Sequence, residues 1–136
     1  MHHTTTKGDI GVAMVTADLL CQGYEVMMPV SAVSPFDVVA YRCGKFSRLQ
    51  VKSREVVNGR ISFQLRRAII SSGKIAQVPL SRDDVDGIAV YCPTTKSCYY
   101  LPMEGSQTVT LRISEPANGQ RTGIKFADEY KVFNLI

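Results

Sequence analysis

The sequence lacks several features that define common classes of protein. It has no tryptophan, its histidines stand only at positions 2 and 3, and its four cysteines include no C-x-x-C pair. A zinc centre therefore has too few ligands. A secretory signal and an apolar run of membrane-spanning length are also missing. We expect a cytoplasmic protein with reduced cysteines and no membrane partner, although a disulfide between Cys92 and Cys98 across a hairpin is geometrically possible.

Acidic side chains are scarce in one long segment. Residues 42–82 hold ten basic residues and one acid, Glu55, whereas the whole chain has a net charge of only +4. Such a concentration of positive charge suits nucleic acid, although charge alone is also compatible with a solvated basic surface. Few clustered aromatics are available to stack single strands, so duplex or structured DNA fits better. We expect DNA contacts from Lys45, Arg48, Arg54, Arg60, Arg66 and Arg67.

The order of hydrophobic patterns predicts a helix followed by strands. The 136 residues fit one domain spanning 1–136. Apolar residues at helical spacing follow Thr6, which we predict as the N-cap with Asp9 as its capping-box partner, and Gly23 marks the end of the helix. The fold class is α/β or α+β, with the helix packed on a mixed sheet. Strands are predicted at 24–30, 36–42, 45–53, 59–67, 86–92, 97–102 and 108–113, with 68–85 unclear, a loop at 116–123 and a short helix or ordered tail near 126–133.

A turn at Cys43-Gly44 sets the register of the hairpin formed by the second and third predicted strands. With this turn at the centre, Asp37 faces Gln50, and opposed side chains lie roughly 5 Å apart at Cβ on one face of a sheet. Lys52 shares that face because side chains alternate along a strand. The opposite face is apolar, with Val38, Ala40, Leu49 and Val51. Three polar groups thus converge, and a slip of one residue would disperse them.

The three residue types suit a magnesium-dependent hydrolysis. The Asp37 carboxylate and the Gln50 amide oxygen are ligands that Mg²⁺ accepts, and Mn²⁺ is a possible substitute. The Lys52 ammonium can lower the pKa of an attacking water or neutralise charge that grows on a phosphate. Spacing alone is equally compatible with a polar trio on a sheet surface. Asp86, just before an apolar strand, is interpreted as a structural residue outside this site.

Ser-Pro-Phe-Asp37 followed by Leu-Gln50-Val-Lys52-Ser53 resembles the PD-(D/E)-x-K nuclease motif, with glutamine in the second acidic slot. The chain also resembles the group I intron-associated branch of that superfamily, which includes homing endonucleases. This resemblance covers nearly the whole chain, whereas the nuclease motif alone is short and weakly specific. Its other segments are 7–11, 19–29, 85–93 and 111–120.

The resemblance implies a restriction-endonuclease-like core and an Mg²⁺-dependent endonuclease that cuts double-stranded DNA. By that resemblance Asp37 binds metal, Gln50 replaces the second acid, and Lys52 assists the attack. Many relatives carry a glutamate near the start of the first helix, where this chain has Val12. Two alternatives stay open: a DNA-binding protein on a decayed nuclease scaffold, and a structure-selective nuclease similar to Holliday-junction resolvases. Because a chain this small spans a long DNA site only as an oligomer, we expect a homodimer or homotetramer.

Overall fold

The protein is an N-terminal helix followed by strands. The computed structural model describes residues 4–105, 107–114 and 118–135, without the side chains of Thr4 and Thr5. In these ranges helix α1 spans Thr4–Cys21, and a short 3-10 helix spans Ala127–Tyr130. The strands are β1 (Glu25–Met27), β2 (Val38–Arg42), β3 (Lys45–Ser53), β4 (Arg60–Gln64), β5 (Arg66–Ser71), β6 (Lys74–Pro79), β7 (Gly87–Cys92), β8 (Ser97–Pro102) and β9 (Thr108–Arg112).

Helix α1 ends as the sequence predicts and begins earlier. Gly23 has a φ of +94°, its amide donates to the Leu20 carbonyl, and the Tyr24 amide donates to Leu19. This is a Schellman motif, which satisfies the last carbonyls of a helix. The predicted cap at Thr6 is wrong, because α1 begins at Thr4 and Thr6 lies within its first turn. Thr6 therefore lies inside the helix and cannot be the residue that precedes it.

Five strands form one mixed sheet in the order β1-β2-β3-β7-β8. Strands β3 and β7 pair in parallel, and the other neighbours pair antiparallel. The long connection between the parallel strands contains β4, β5 and β6. The predicted fold class, α+β with an N-terminal helix on a mixed sheet, is therefore confirmed. No helix in the described ranges is long and apolar enough to cross a membrane.

Both faces of the sheet are covered. On one face α1 contributes Val15 and Leu19 to a buried cluster with Val38, Ala40 and Leu49 of the β2–β3 hairpin. On the other face β4 and β9 form a two-stranded antiparallel sheet. Its inward side chains, with those of β7 and β8, make the second buried cluster, which includes Ile61, Phe63, Ile88, Val90, Tyr99, Val109 and Leu111.

The β2–β3 hairpin has the predicted register. Cys43 and Gly44 have φ values of 54° and 81°, and positive φ at both central residues is the requirement of a type I′ hairpin turn. Arg42 pairs with Lys45, and the ladder continues to Val38 opposite Leu49. The ladder of paired strand residues thus ends one residue short of Asp37.

A second hairpin, β5–β6, was not predicted as such. The expected strand 59–67 is divided at Leu65, whose amide donates to the Gln107 carbonyl and whose own carbonyl accepts from Leu80. The chain turns there, and β5 and β6 pair only with each other, as a ribbon. At its tip Ile70 and Ile75 are paired, and their side chains are 66% and 78% exposed. Neither face of this ribbon is fully buried, so apolar and polar residues alternate only weakly over 68–85. For that reason the sequence did not predict the ribbon.

The cysteines are all free in the structure. In the β7–β8 hairpin Cys98 pairs with Tyr91, and Cys92 pairs with Ser97. Cys92 belongs to the cluster on the β4–β9 side and Cys98 to the cluster on the helix side. The two buried thiols therefore point to opposite faces of the sheet. In the late loop, Pro116 lies outside the described residues.

Candidate active site

Strand β3 presents Gln50 and Lys52 on the face away from α1. Leu49 and Val51 alternate with them and belong to the helix-side cluster, Leu49 buried and Val51 packed against it. Asp37 stands immediately before β2, at the same end of the hairpin. Its carboxylate and the Lys52 ammonium are close enough for each charge to influence the pKa of the other. The structure therefore brings the three predicted side chains to one end of the hairpin.

Asp37 extends the edge of the hairpin with its side chain. Its backbone amide donates to the Leu49 carbonyl at 2.9 Å, and its Oδ2 accepts from the Val51 amide at 2.8 Å. The carboxylate thus takes the place of a strand carbonyl for β3, which continues beyond the start of β2. Burial raises the pKa of Asp37 above its ordinary value, although the Val51 hydrogen bond and the charge of Lys52 act in the opposite direction. The position is therefore fixed by backbone contacts, and a cation beside the carboxylate would offset the cost of its burial.

Gln50 has an amide oxygen without a partner. The side chain is 8% exposed, and its Nε2 donates over long distances to the carbonyls of Pro35 (3.5 Å) and Arg66 (3.4 Å). Two carbonyl oxygens on one side fix the amide nitrogen there, so Oε1 points the other way. Within the described ranges Oε1 has no hydrogen-bond partner. A buried acceptor left open in this way is unusual and requires an explanation.

Lys52 is a partly buried cation. Burial, followed by the positive charge of Arg54, lowers the pKa of its ammonium group, and Asp37 partly opposes this shift. No carboxylate of the described residues lies within ion-pair distance of it. An unpaired, partly desolvated ammonium attracts an anionic group more strongly than a solvated one does.

The residues fit a divalent cation with a small protein ligand set. No three histidine, cysteine, aspartate or glutamate side chains cluster as a metal site in the described part of the chain. Asp37 would supply a carboxylate, and the open Oε1 of Gln50 is the donor that a hard cation accepts. Mg²⁺ usually keeps several waters and takes few protein ligands, so two oxygen donors are compatible with it.

Helix α1 places no oxygen donor at Val12. Val12 is half-buried and packs against the helix-side cluster. Asp9 is exposed, one turn earlier, and the shift of the helix start removes its predicted capping role. Gly11 is buried where α1 touches β3: a Cβ there would lie 3.3 Å from the Ser53 Cβ. The absent side chain lets the helix pack closely on the site strand.

Two of the predicted DNA contacts are held in ion pairs. Arg48 binds Asp86 through its guanidinium and its backbone amide, and it also donates to the carbonyls of Arg82 and Asp83. This contact lowers the pKa of Asp86 below its ordinary value. Arg67 binds Asp84 at 2.7 Å. Asp86 is therefore a structural residue, as interpreted from the sequence.

The other four predicted DNA contacts are exposed. Lys45 lies at the β2–β3 turn, Arg66 at the root of the β5–β6 ribbon, and Arg60 at the start of β4. Arg54 follows β3 and reaches the open cleft between the first turns of α1 and the end of β3, which is about 660 Å³ in volume. Lys52 lines the same cleft, and so does Lys7, which sequence reasoning did not select. The sequence offered one indication of Lys7: it directly precedes Gly8, and Gly8 and Gly11 lie on one side of the helix.

Comparison with known proteins identifies the family. A sequence profile of the PD-(D/E)XK endonuclease family matches residues 2–133, so the chain belongs to that family and the resemblance in its sequence is confirmed. Among solved structures, the bacterial homing endonuclease I-Ssp6803I matches with a TM-score of 0.72. That match has 22% sequence identity and covers 96% of this chain and 89% of the other, which establishes a shared fold. No curated protein sequence matches the chain.

Proposed function

We propose that this protein is an Mg²⁺-dependent endonuclease that hydrolyses phosphodiester bonds of double-stranded DNA, with Asp37, Gln50 and Lys52 at its active centre. The observation that carries this proposal is the open, buried Oε1 of Gln50, on the same face of β3 as Lys52 and at the same hairpin end as Asp37. Family membership supports a nuclease. The shared fold with a bacterial homing endonuclease is compatible with DNA as the substrate. Mn²⁺ is a possible substitute cation, because it accepts the same oxygen ligands as Mg²⁺.

Each residue has a separate role in the proposed reaction. Asp37 and Gln50 would hold the cation, Asp37 through a carboxylate fixed by the Val51 amide and Gln50 through its open oxygen. When bound, Mg²⁺ supplies Lewis acidity that polarises the scissile phosphate and lowers the pKa of the attacking water. The Lys52 ammonium neutralises charge that grows on the phosphate. Its low exposure strengthens this effect, because water screens it less.

Single substitutions at the centre test the proposal. Asp37→Asn keeps an acceptor for the Val51 amide, and Lys52→Met keeps the length of the side chain. We expect each variant to lose roughly 10²–10⁴-fold in the rate of plasmid cleavage with Mg²⁺ or Mn²⁺, with DNA binding in EDTA retained. Lys131→Ala, which removes an exposed cation near the far end of α1, is the control and should cut like the wild type. Cleavage by Asp37→Asn at the wild-type rate would remove Asp37 from the site.

The position of Val12 favours one alternative function. Its half-buried side chain packs on the helix-side cluster and supplies no oxygen to the site, so a DNA-binding protein on a decayed nuclease scaffold would carry the same features. Wild-type protein that binds duplex DNA and never nicks it, over a range of salt and metal concentrations, would support this alternative. A four-way junction cut in preference to linear duplex would instead support a structure-selective nuclease.

A further inference from the structure

The cleft between α1 and the end of β3 shares one residue, Lys52, with the proposed active centre. Lys52 lines it from the end of β3, and Lys7 and Gly8 line it from the first turns of α1. The helix can approach this closely because Gly11 packs on Val51 and Ser53. Lys52 and the first turns of the helix therefore both border the cleft.

The charge in the cleft is positive. Lys7, Lys52 and Arg54 line it, against one acid, Glu55. No ion pair neutralises any of the three cations among the residues that the structure describes. Lys52 and Arg54 are two residues apart at the end of β3, and both border the same cleft. This arrangement favours a bound anion, which would remove their mutual repulsion.

The shape and the floor of the cleft fit nucleotide backbone. Its volume of about 660 Å³ exceeds what one phosphate group fills. Ile10, Tyr91 and Pro93 supply an apolar wall beside the cations, against which deoxyribose carbons can pack. Phosphates follow one another every 3.4 Å of helix axis on a DNA strand, so neighbours of the scissile phosphate must lie close to Lys52.

We propose that this cleft binds a backbone phosphate of the cut strand next to the scissile phosphate, and that Lys7 and Arg54 are positioning residues that hold it. The proposal rests on the endonuclease function proposed above. It gives Lys7 a role in DNA binding, and it places the DNA contact expected of Arg54 beside the scissile phosphate.

Salt dependence of DNA binding tests the contact without cleavage. The probe is a labelled DNA duplex in EDTA, and the logarithm of affinity is measured against the logarithm of salt concentration. Removing one phosphate contact lowers the slope by about 1, so Lys7→Ala should show that change. Glu55→Gln should bind more tightly than the wild type, because it removes the acid of the cleft. A wild-type slope for Lys7→Ala would overturn the proposal.

A charge introduced at Gly8 provides a matched pair of variants. A Cβ at Gly8 meets no atom within 4 Å, so a longer side chain fits without repacking, and glycine is a poor helix former. Gly8→Glu and Gly8→Gln differ only in charge. We expect Gly8→Glu to bind the duplex at least several-fold more weakly than Gly8→Gln, and equal affinities would contradict an anion site here.

An uncharged linkage in the DNA can show which backbone phosphate binds in the cleft. After the cut site has been mapped, single methylphosphonate linkages replace the phosphates that flank it. One of them should slow cleavage by the wild type roughly tenfold, as expected for a lost charged hydrogen bond, and should have no further effect on Lys7→Ala. Independent effects of the linkage and the substitution would overturn the proposal. Failure of the wild type to cut would instead reject the endonuclease function, and the binding measurements would still test the cleft.

Discussion

At the scale of single residues, Gln50 combines two requirements that oppose each other. Its nitrogen serves the fold by contacting the Pro35 and Arg66 carbonyls, and its oxygen is left open for the proposed metal. A glutamate there would bind a cation more strongly and would have no donor for the two carbonyls. The glutamine nitrogen thus has hydrogen-bond partners when no cation is bound. With a cation bound, the side chain supplies one negative charge fewer than a glutamate would.

Gln50→Glu should therefore change metal affinity and stability in opposite directions. We expect the Mg²⁺ concentration for half-maximal cleavage to fall at least about tenfold, since a unit charge beside a divalent cation is worth more than 1 kcal/mol even with water-like screening. In EDTA the free energy of unfolding should fall by about 1–3 kcal/mol, because a buried carboxylate would face two carbonyl oxygens. Urea unfolding and metal titration of cleavage measure the two effects.

Gln64→Glu is the control for that substitution, because Gln64 is exposed on β4 and gains the same charge away from the site. It should leave both quantities near their wild-type values. An unchanged metal requirement in Gln50→Glu would show that this side chain does not bind the cation.

At the scale of elements, the basic segment divides into arginines that hold the fold and arginines that face solvent. Arg48 fixes the residues before β7 onto β3, whereas the Arg66 side chain is exposed at the root of the ribbon β5–β6. A two-stranded ribbon is narrow enough to enter the DNA major groove. The ribbon also carries exposed Lys74 and paired isoleucines at its tip.

Arg48→Ala should therefore lower the stability of the fold, whereas Arg66→Ala should weaken DNA binding. Arg48→Ala should lose about 1–2 kcal/mol of unfolding free energy at neutral pH, a value limited by solvent screening of the pair. Since the pKa of Asp86 is lowered in the fold, this contribution is present above its ordinary value of 3.8 and is lost as pH falls through the folded value. Arg66→Ala should leave stability within about 0.5 kcal/mol and lower the salt slope of DNA binding by about 1.

Urea unfolding at neutral and acid pH and the salt dependence of duplex binding separate these two variants. A stable Arg48→Ala protein with weakened DNA binding would show that the predicted contact by Arg48 outweighs its structural role.

The parts of the structure that the sequence predicted are those with local causes. The β2–β3 register follows from Cys43-Gly44, and the end of α1 follows from Gly23, because each depends on neighbouring residues. The register alone placed Asp37, Gln50 and Lys52 together. The parallel pairing of β3 with β7 joins segments nearly forty residues apart, and the ion pair of Arg48 with Asp86 depends on it. No local pattern encodes such a contact.

At the scale of the whole molecule, the chain is small for the DNA that it is proposed to read. Its accessible surface is 8235 Å². A contact between two copies of the chain would bury roughly a tenth of that surface on each copy. The edge strand β1 and the loop after it expose Met27, Met28, Val30 and Val33, which form a candidate contact between copies. A closed oligomer would set two active centres on the two strands of a duplex.

The predicted oligomer is a homodimer or a homotetramer. Light scattering coupled to gel filtration should therefore give two or four times the chain mass of 15.0 kDa, both free and with duplex DNA. A mass of one chain under both conditions, at every protein concentration tried, would contradict the expected assembly.

The Arg66 carbonyl that holds the Gln50 amide is also the first carbonyl of the β5–β6 ribbon. If the ribbon contacts DNA and Gln50 holds the cation as proposed, this carbonyl links the two contacts. If the ribbon tilts as it settles into a groove, that carbonyl moves and the Gln50 amide must follow it or lose a partner. A duplex that fits the ribbon would then leave the Gln50 amide in place, and one that tilts the ribbon would displace it, which would couple the fit of the DNA to metal binding.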